Sequence, residues 1–315
     1  MEEDIFTFAR RLFPMVAGVC LLAGFLVESS CPALASPATF ITALPVAEDQ
    51  IVSRFNGDPT FGSQNFSSFQ FPLDIAYGLN ARWTIFTTLN PVYNSMQTQT
   101  PSGQSNISSG GLGDTLMFAR YTLFSHDTPK STLRIAPVAG LYLPSGSNSL
   151  SNPNGLLPGS LQTGSGSVAP YGGVVFEWDS PAYGFTTDST FRDNPITNTG
   201  ISPGDQFRAD GQVGLRLYPW PLPKIGLPKE WWLSIEENYY HNSLSHINGQ
   251  VSPGSGGQSF YQDAVLEFAT FRYEIGAGIQ LPVVQDLNSP SDVREKRQLL
   301  FFGEYYFSGF RGHKK

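Results

Sequence analysis

Residues 206–218 alternate between two kinds of side chain, and this period of two constrains the chain more than any other feature. One parity is apolar or small throughout, whereas the other carries Arg208, Asp210, Gln212 and Arg216. Because successive side chains of a strand point to opposite faces, the segment is a strand with one apolar and one charged face. A half-buried strand of a soluble sheet shows the same alternation, so this strand alone does not decide what covers the apolar face.

The alternation recurs along the chain in segments of about ten residues, separated by Gly, Pro, Asn and Ser. Beyond the first 35 residues the sequence has no apolar run long enough for a membrane-spanning helix. The pattern predicts twelve strands, at 48–56, 66–77, 81–93, 113–124, 131–143, 167–178, 182–192, 206–218, 230–241, 260–270, 273–285 and 298–308.

The predicted connections alternate in length. Short ones lie around 78–80, 126–129 and 179–181, and a proline-rich one of intermediate length lies at 219–229. The long ones are rich in Ser, Gly, Asn and Gln, and they lie at 94–112, 144–166, 193–205, 242–259 and 286–297. Tight turns on one side and extended loops on the other are typical of outer-membrane barrels. We therefore predict an all-β fold: a single transmembrane antiparallel β-barrel of about 12 strands after an N-terminal signal peptide.

Composition agrees with a surface that does not face water. Only 14% of the residues are charged and 13% are aromatic, whereas soluble domains average about 25% charged residues. Aromatic side chains gather near predicted strand ends and are expected to form two girdles at the membrane interfaces: Tyr77, Trp83, Tyr93, Trp178, Tyr183, Tyr218, Trp220, Trp231, Trp232, Tyr239 and Tyr240. The alternative is that they are core aromatics of a soluble sandwich or propeller.

The N-terminus has the layout of a secretion signal: Arg10 and Arg11, then the apolar run 12–27, then the small residues of Ala33-Leu34-Ala35. We predict cleavage after Ala35. A membrane anchor is the alternative, but the run is shorter than the roughly 20 residues that span a bilayer. The predicted organisation is a signal peptide at 1–35, an N-terminal segment at 36–47, an outer-membrane barrel at 48–308 and a basic C-terminal tail at 309–315.

Cleavage would also remove both cysteines, Cys20 and Cys31, so no disulfide is expected in the exported chain. It would take away two of the 19 basic and four of the 26 acidic residues, which leaves a net charge of −5. This charge argues against nucleic acid as a partner.

Several short motifs occur in a recognisable order: Gly111-Leu112-Gly113-Asp114, Leu143-Pro144-Ser145-Gly146, Thr163-Gly164-Ser165 and Gln280-Leu281-Pro282-Val283. Over nearly the whole exported chain the sequence resembles the outer-membrane transporters grouped under the meta-pathway of phenol degradation. The resemblance implies a barrel that passes small apolar molecules, and it brings no established set of functional residues. Gly113 is expected to serve loop geometry, and Asp114 either caps the loop or hydrogen-bonds in the lumen.

Resemblance to outer-membrane proteins also implies that the last strand is recognised by the outer-membrane assembly machinery through a terminal aromatic residue. Phe307 or Phe310 would supply it, ahead of the basic tail. The expected location is therefore the outer membrane of a Gram-negative-type bacterium, with membrane lipid and the assembly machinery as partners.

If the apolar parity faces lipid, the charged parity faces the lumen, because Arg or Lys at mid-bilayer costs roughly 2–4 kcal/mol. On this basis Leu215→Arg is expected to harm assembly more than Arg216→Leu. The lumen-lining candidates are Arg82, Phe86, Asp114, Phe118, Arg120, Arg134, Tyr142, Asp188, Arg208, Asp210, Arg216, Glu236 and Glu304.

Aromatic and aliphatic side chains among the inward positions suit an apolar cargo as a group, although packing is the favoured explanation for any one of them. We therefore expect a passive channel for small, apolar or aromatic solutes. The alternative is a structural or adhesive barrel with a plugged lumen, whose long loops do the work.

A barrel hydrolase is a third possibility, and it has little support. The nearest stretch to a nucleophile motif, at 239–250, contains His241, Ser243, Ser245 and His246 but lacks the order of residues that a serine hydrolase needs. His241 and His246 have no nearby carboxylate or thiol cluster that would complete a metal site. We expect no enzymatic activity, no cofactor and no metal.

Overall fold

The computed structural model describes residues 37–63, 65–100, 103–197, 200–221, 229–288 and 294–307. The predicted signal peptide and basic tail lie outside these ranges, so their boundaries stay predictions. Within the described chain, no helix is long and apolar enough to cross a membrane.

Twelve strands form one closed antiparallel barrel, as the alternation predicts. They are β1 (Ile51–Gly62), β2 (Leu73–Gly78), β3 (Trp83–Leu89), β4 (Thr115–Tyr121), β5 (Ser131–Leu143), β6 (Ala169–Asp179), β7 (Tyr183–Arg192), β8 (Gln206–Tyr218), β9 (Lys229–Asn242), β10 (Gly257–Thr270), β11 (Tyr273–Leu287) and β12 (Glu295–Phe307).

Each strand pairs with its neighbours in sequence, and β12 closes the barrel on β1, with Phe307 opposite Ile51. Closure gives every strand of the barrel a paired neighbour on both sides, which is the condition for a sheet in hydrocarbon. The alternation seen in β8 is realised as predicted: Val213 is 57% exposed on the outer face, whereas Asp210 is 3% exposed in the interior.

The connections differ at the two ends of the barrel, which confirms the predicted asymmetry. Residues 79–82, 180–182 and 271–272 make tight turns at one end, whereas 144–168 and 243–256 are long connections at the other. By the convention of outer-membrane barrels the first end is periplasmic and the second extracellular.

The extracellular side is more ordered than the predicted loops. Pro91–Thr100 and Gly103–Leu112 form a hairpin, and Pro91–Thr100 also pairs with Ser67–Gln70, which in turn pairs with the outer part of β1. The polar composition of 94–112 predicts an irregular loop, and this prediction is wrong. Gly103–Leu112 is exposed or half-buried along its length and so needs no apolar parity, whereas Val92 and Met96 of its partner strand are buried. Smaller pairings occur further along, at Ser151–Asn152 with Gly155–Leu156, and at Ser245–Ile247 with Ile201–Ser202 and Gln250–Ser252.

Exposed aromatic side chains form a belt near the periplasmic end. Trp83 packs on Tyr121 with ring centroids 4.8 Å apart, and Trp231 packs on Phe268 at 5.0 Å. Trp232 and Tyr240 do not belong to the girdles, because neighbours on a strand point to opposite faces and Trp231 and Tyr239 take the outer one. Trp232 is fully buried inside the barrel.

Candidate functional site in the barrel interior

Residues 37–47, called the N-terminal segment below, run through the interior of the barrel before β1 begins. Ala38 lies beside Val265 and Phe302, whereas Ala43 is fully buried against the opposite side of the barrel. The segment has no regular secondary structure, so the barrel wall must satisfy its backbone polar groups.

A first carboxylate–arginine pair holds the start of the segment, and we call it the first clasp. Glu236 accepts the backbone N–H of Ala38 at 2.6 Å and the hydroxyl of Thr39 at 2.7 Å. Arg208 donates to the carbonyl oxygen of Thr39 at 2.6 Å. Arg208 also forms an ion pair with Asp210 on its own strand.

A second clasp of the same composition holds the segment further along. Glu177 accepts the backbone N–H groups of Ala43 at 2.5 Å and Leu44 at 2.9 Å. Arg120 donates to the carbonyl oxygens of Thr42 and Leu44. Buried charges that make several hydrogen bonds are tolerable in an interior only because those bonds replace water.

The segment leaves the interior past β2 and β3. Val46 donates its N–H to Thr84 at 3.3 Å. A Cβ atom on Gly78 would lie only 2.1 Å from the carbonyl oxygen of Ala47, so a side chain at position 78 would block this path. Glycine at the end of β2 is therefore required by the close approach of two backbones.

A cavity of about 760 Å³ remains beside the segment. One wall is aromatic: the rings of Phe86 and Phe118 stack with centroids 4.5 Å apart, and Tyr171 meets Phe118 edge to face at 5.8 Å. Ile41 and Ala43 of the segment pack against this wall. The arrangement is suited to a small apolar or aromatic molecule, since concave apolar sites with few polar groups are typical of such ligands.

The adjoining wall of the cavity, on β1 and β2, is polar. Arg54 lies 3.7 Å from Glu304, donates to Asn56 at 2.9 Å and also reaches the carbonyl oxygen of Pro37 at 2.7 Å. Asp74 accepts from Thr88 at 2.6 Å and from Asn56 at 2.9 Å. The interior charges thus bind one another and the segment, so they are pre-arranged rather than free.

A third group of polar side chains lies deep in the barrel near its periplasmic end. Arg216 pairs with Glu230 at 3.0 Å, and Glu230 accepts the indole N–H of Trp232 at 2.9 Å. The Arg216 guanidinium also lies 4.8 Å from the centre of the Trp232 ring. None of these side chains lines the cavity.

The structure distributes the predicted lumen residues over distinct places. Those that line the cavity are Phe86, Phe118, Arg120, Tyr142, Asp188, Arg208 and Glu304. Glu236 and Asp210 are buried next to them, in the first clasp and beside Arg208. Arg216 lies near the periplasmic end, away from the cavity.

Asp114 anchors extracellular loops. It accepts the backbone N–H of Ser165 at 2.9 Å and lies 3.4 Å from Arg192. A Cβ atom on Gly164 would lie 2.5 Å from the carbonyl carbon of Gly146, so these glycines pack backbone to backbone beside it. Three of the four motifs that carry the family resemblance therefore meet in one cluster.

Arg82 and Arg134 stand apart from the cavity. Arg82 is exposed in the turn 79–82 and lies outside the interior, because the strand begins at Trp83, two residues later than the alternation predicts. Arg134 binds Asp127 in the short strand Phe124–Thr128 at 2.5 Å. Hydrogen bonds from Arg134 hold the pKa of Asp127 below its ordinary value.

The N-terminal segment was not identified as part of the site from the sequence. Its sequence, ATFITALPVA at 38–47, consists mainly of small and apolar residues and has no period of two. It therefore does not have the pattern of a barrel strand. The sequence carries no signal that places this segment in the lumen, although Glu236, Arg208 and Arg120, which hold it, are among the predicted lumen residues.

His241 and His246 border an open groove at the extracellular end, together with Asp286. No group of three or more His, Cys, Asp or Glu residues within the described ranges has metal-binding geometry.

A closed barrel, apolar outside and charged inside, defines this chain as an outer-membrane β-barrel. Among solved structures, the COG4313 outer membrane channel from Pseudomonas putida F1 is similar, with a TM-score of 0.60 and 12% sequence identity, covering 87% of this chain and 100% of the other. The likeness establishes the fold. The CymD monoaromatic hydrocarbon channel has a TM-score of 0.39 and 10% identity, covering 84% of this chain and 90% of the other. No family model matches the sequence. No curated protein matches it either.

Proposed function

We propose that this barrel is a passive outer-membrane channel for small apolar or aromatic molecules, held closed at rest by its N-terminal segment. The observation that carries the proposal is the 760 Å³ cavity inside the barrel, with its aromatic wall of Phe86, Phe118 and Tyr171. The similar structure from Pseudomonas putida F1 is an outer membrane channel, which agrees with this role. The clustering of motifs around Asp114 adds support for the phenol meta-pathway type.

The N-terminal segment explains how a channel of this kind avoids leaking ions. Its backbone crosses the lumen and uses the charged side chains that would otherwise coordinate water and ions there. A cargo that binds the aromatic wall gains burial of apolar surface, about 25 cal/mol per Å². Such a cargo would pass beside Ile41 and Ala43, which pack on the same wall.

Uptake by intact cells tests the proposal, since lipopolysaccharide blocks apolar solutes that cross simple lipid bilayers unaided. Cells producing the protein are expected to take up labelled toluene and phenol faster than cells without it, and deletion of residues 38–46 should raise entry of polar solutes as well. A heat-dependent shift in gel mobility would verify that the deleted protein still forms a barrel. Equal toluene and phenol uptake with and without the protein would overturn the proposal.

The filled lumen also favours a second candidate, a structural or adhesive barrel whose extracellular strands and loops do the work. Uptake of toluene and phenol by the intact protein separates the two. A structural barrel would gain ion conductance when the segment is removed, but the intact protein would give no solute uptake and its removal would impair adhesion or envelope integrity.

A further inference from the structure

A β-bulge near the extracellular end of β12 turns two neighbouring basic side chains to the same face. The ladder with β1 shifts register next to the pair Phe61–Arg297, and Lys296 is the extra residue on β12. The residues on either side, Glu295 and Gln298, both line the cavity. Regular alternation would send either Lys296 or Arg297 inward as well. Because the bulge re-aims a side chain, both are instead exposed on the outside of the barrel.

The charges of Lys296 and Arg297 are not neutralised within the described part of the chain. None of the ion pairs there includes either side chain. The Arg297 guanidinium instead lies 5.3 Å from the centre of the Phe61 ring. Asp286, on the outer face of β11, accepts a long hydrogen bond from Gln258 at 3.5 Å. Two exposed cations side by side are therefore available to an anion from outside the protein.

Arg294 adds a third cation at the same edge. Its backbone N–H donates to the hydroxyl of Ser63 at 2.9 Å, and its guanidinium donates to the carbonyl oxygen of Gln285 at 2.6 Å. These bonds hold Arg294 between the extracellular ends of β1 and β11. We call Arg294, Lys296 and Arg297 the basic patch. The other basic residues of the described ranges lie inside the barrel and its extracellular loops or near the periplasmic end: Arg54, Arg120, Arg192, Arg208 and Arg216, and Arg82, Lys130, Arg134, Lys229 and Arg272.

An apolar band lies below the basic patch on the outer face. Phe61 meets Phe69 edge to face, with ring centroids 6.2 Å apart. Toward the periplasm, Ile275, Ile279 and Phe301 are 52%, 38% and 48% exposed on β11 and β12. Basic side chains over an apolar band are typical of the boundary between membrane and water. The basic patch therefore lies at the level of the headgroups of the outer leaflet.

We propose that the basic patch binds the phosphate groups of one lipopolysaccharide molecule, whose acyl chains lie along the apolar band. Lipopolysaccharide is the anionic lipid of the outer leaflet, and its lipid A part carries two phosphates on a disaccharide. A row of three cations suits two phosphates better than it suits the single phosphate of a phospholipid. Arginine can bind a phosphate through two N–H groups, and lysine adds a point charge. The site is independent of what passes through the lumen.

Binding of lipid A to the purified barrel tests the proposal. The protein is refolded in detergent without lipopolysaccharide and titrated with diphosphoryl lipid A, and native mass spectrometry counts the bound lipid. Lys296→Gln combined with Arg297→Gln removes two charges from the basic patch. Lys229→Gln combined with Arg272→Gln removes two exposed charges near the periplasmic end and is the matched control. A heat-dependent shift in gel mobility verifies that each variant forms a barrel.

We expect the unchanged protein and the control to bind one lipid A, and the basic-patch variant to bind it about thirtyfold more weakly. Each basic side chain at an anionic lipid surface contributes a factor of roughly five. Monophosphoryl lipid A should bind more weakly than the diphosphoryl form, and zwitterionic phosphatidylethanolamine should not compete.

Equal affinity of the basic-patch variant and the unchanged protein for lipid A would overturn the proposal. An equal loss in the control would do so as well, because overall charge rather than the basic patch would then decide binding. Effective competition by phosphatidylethanolamine would show that acyl chains alone hold the lipid, and displacement by inorganic phosphate would show a general anion site. Either result would contradict a site for lipopolysaccharide.

Discussion

The two clasps on the N-terminal segment have the same composition, a glutamate and an arginine. They differ in the interactions that the arginine keeps when the segment leaves the lumen. In the first clasp, Arg208 keeps an ion pair with Asp210. In the second, Arg120 belongs to none of the ion pairs found among the described residues, and its hydrogen bonds go to Thr42 and Leu44 of the segment. Release at the second clasp therefore takes from Arg120 its hydrogen bonds to Thr42 and Leu44, whereas Arg208 keeps its ion pair with Asp210 when the first clasp releases.

Position along the chain strengthens this contrast. The first clasp holds the residues next to the predicted cleavage site, and its release frees only a short end. The second clasp lies where Ala43 packs against Phe118 and Val175, so its release uncovers the aromatic wall. We therefore expect the first clasp to release the start of the segment readily. We expect the second clasp to control the opening of the channel.

The largest effect is expected from Glu177→Ala. It removes the acceptor for two backbone N–H groups and leaves buried polar groups unpaired, a loss of roughly 3–5 kcal/mol. The open population should rise on the order of a hundredfold or more, read as ion conductance in planar bilayers. Glu236→Ala should raise conductance much less, and Glu177→Gln, which keeps one acceptor oxygen, should fall between them.

Equal conductance for Glu177→Ala and Glu236→Ala would remove the distinction between the clasps. Thiol labelling tests the distinction between the two clasps independently. A cysteine at Thr39 should react in the Glu236→Ala background, whereas a cysteine at Ala43 should react only when Glu177 is changed.

The next largest effect concerns the arginine–glutamate pair near the periplasmic end. Alternation alone favours Leu215→Arg as the more harmful change in β8. The structure reverses this order, because Leu215 lies opposite Tyr183 near the aromatic belt, where an arginine on the lipid face costs only about 0–1 kcal/mol. Arg216→Leu strands the fully buried Glu230, which costs roughly 3–5 kcal/mol.

The effects of Leu215→Arg and Arg216→Leu on the barrel can be compared by the folding yield and by the temperature at which the gel mobility shifts. Arg216→Leu combined with Glu230→Gln should recover much of the loss, since no buried charge is then unpaired. A larger defect for Leu215→Arg would contradict the assigned depth of this position.

A smaller effect is expected at the aromatic wall. Phe118→Leu keeps most of the apolar volume but removes the stack on Phe86, and an aromatic pair is worth about 0.5–1.5 kcal/mol beyond burial. Uptake of toluene should fall by about three- to tenfold, whereas uptake of a short alkane should change little. Phe185→Leu, on the lipid face of β7, is the matched control and should alter neither. A parallel loss for both solutes would argue against aromatic selection.

The smallest effect is expected for Asp127→Asn. Asp127 pairs with Arg134, but its side chain is 58% exposed, and exposed ion pairs contribute roughly 0.2–1 kcal/mol. Thermal stability should drop by no more than this, with no change in conductance. A large loss of function would mean that the short strand Phe124–Thr128 does more than brace β5.

Particular residues show which features of the barrel can be predicted from the sequence. The alternation in 206–218 predicts which face of β8 meets lipid, because a period of two maps directly onto the two faces of a strand. It cannot place Trp232 inside and Trp231 outside, since either parity could carry a tryptophan. The pairing of Arg216 with Glu230 depends on the register of β8 and β9, which no local pattern specifies.

The position of the N-terminal segment could not be predicted from the sequence. The segment is held by side chains far away in the chain, such as Glu236, which is 198 residues from Ala38.

The most direct test of the central claim is a crystal structure of the protein soaked with bromobenzene, using the anomalous signal of bromine to locate the ring. We expect bromine density inside the barrel against Phe86 and Phe118, next to Ile41 of the N-terminal segment. Bromine density confined to the lipid-facing surface, with the interior cavity empty of it, would contradict the claim that this barrel accommodates aromatic molecules.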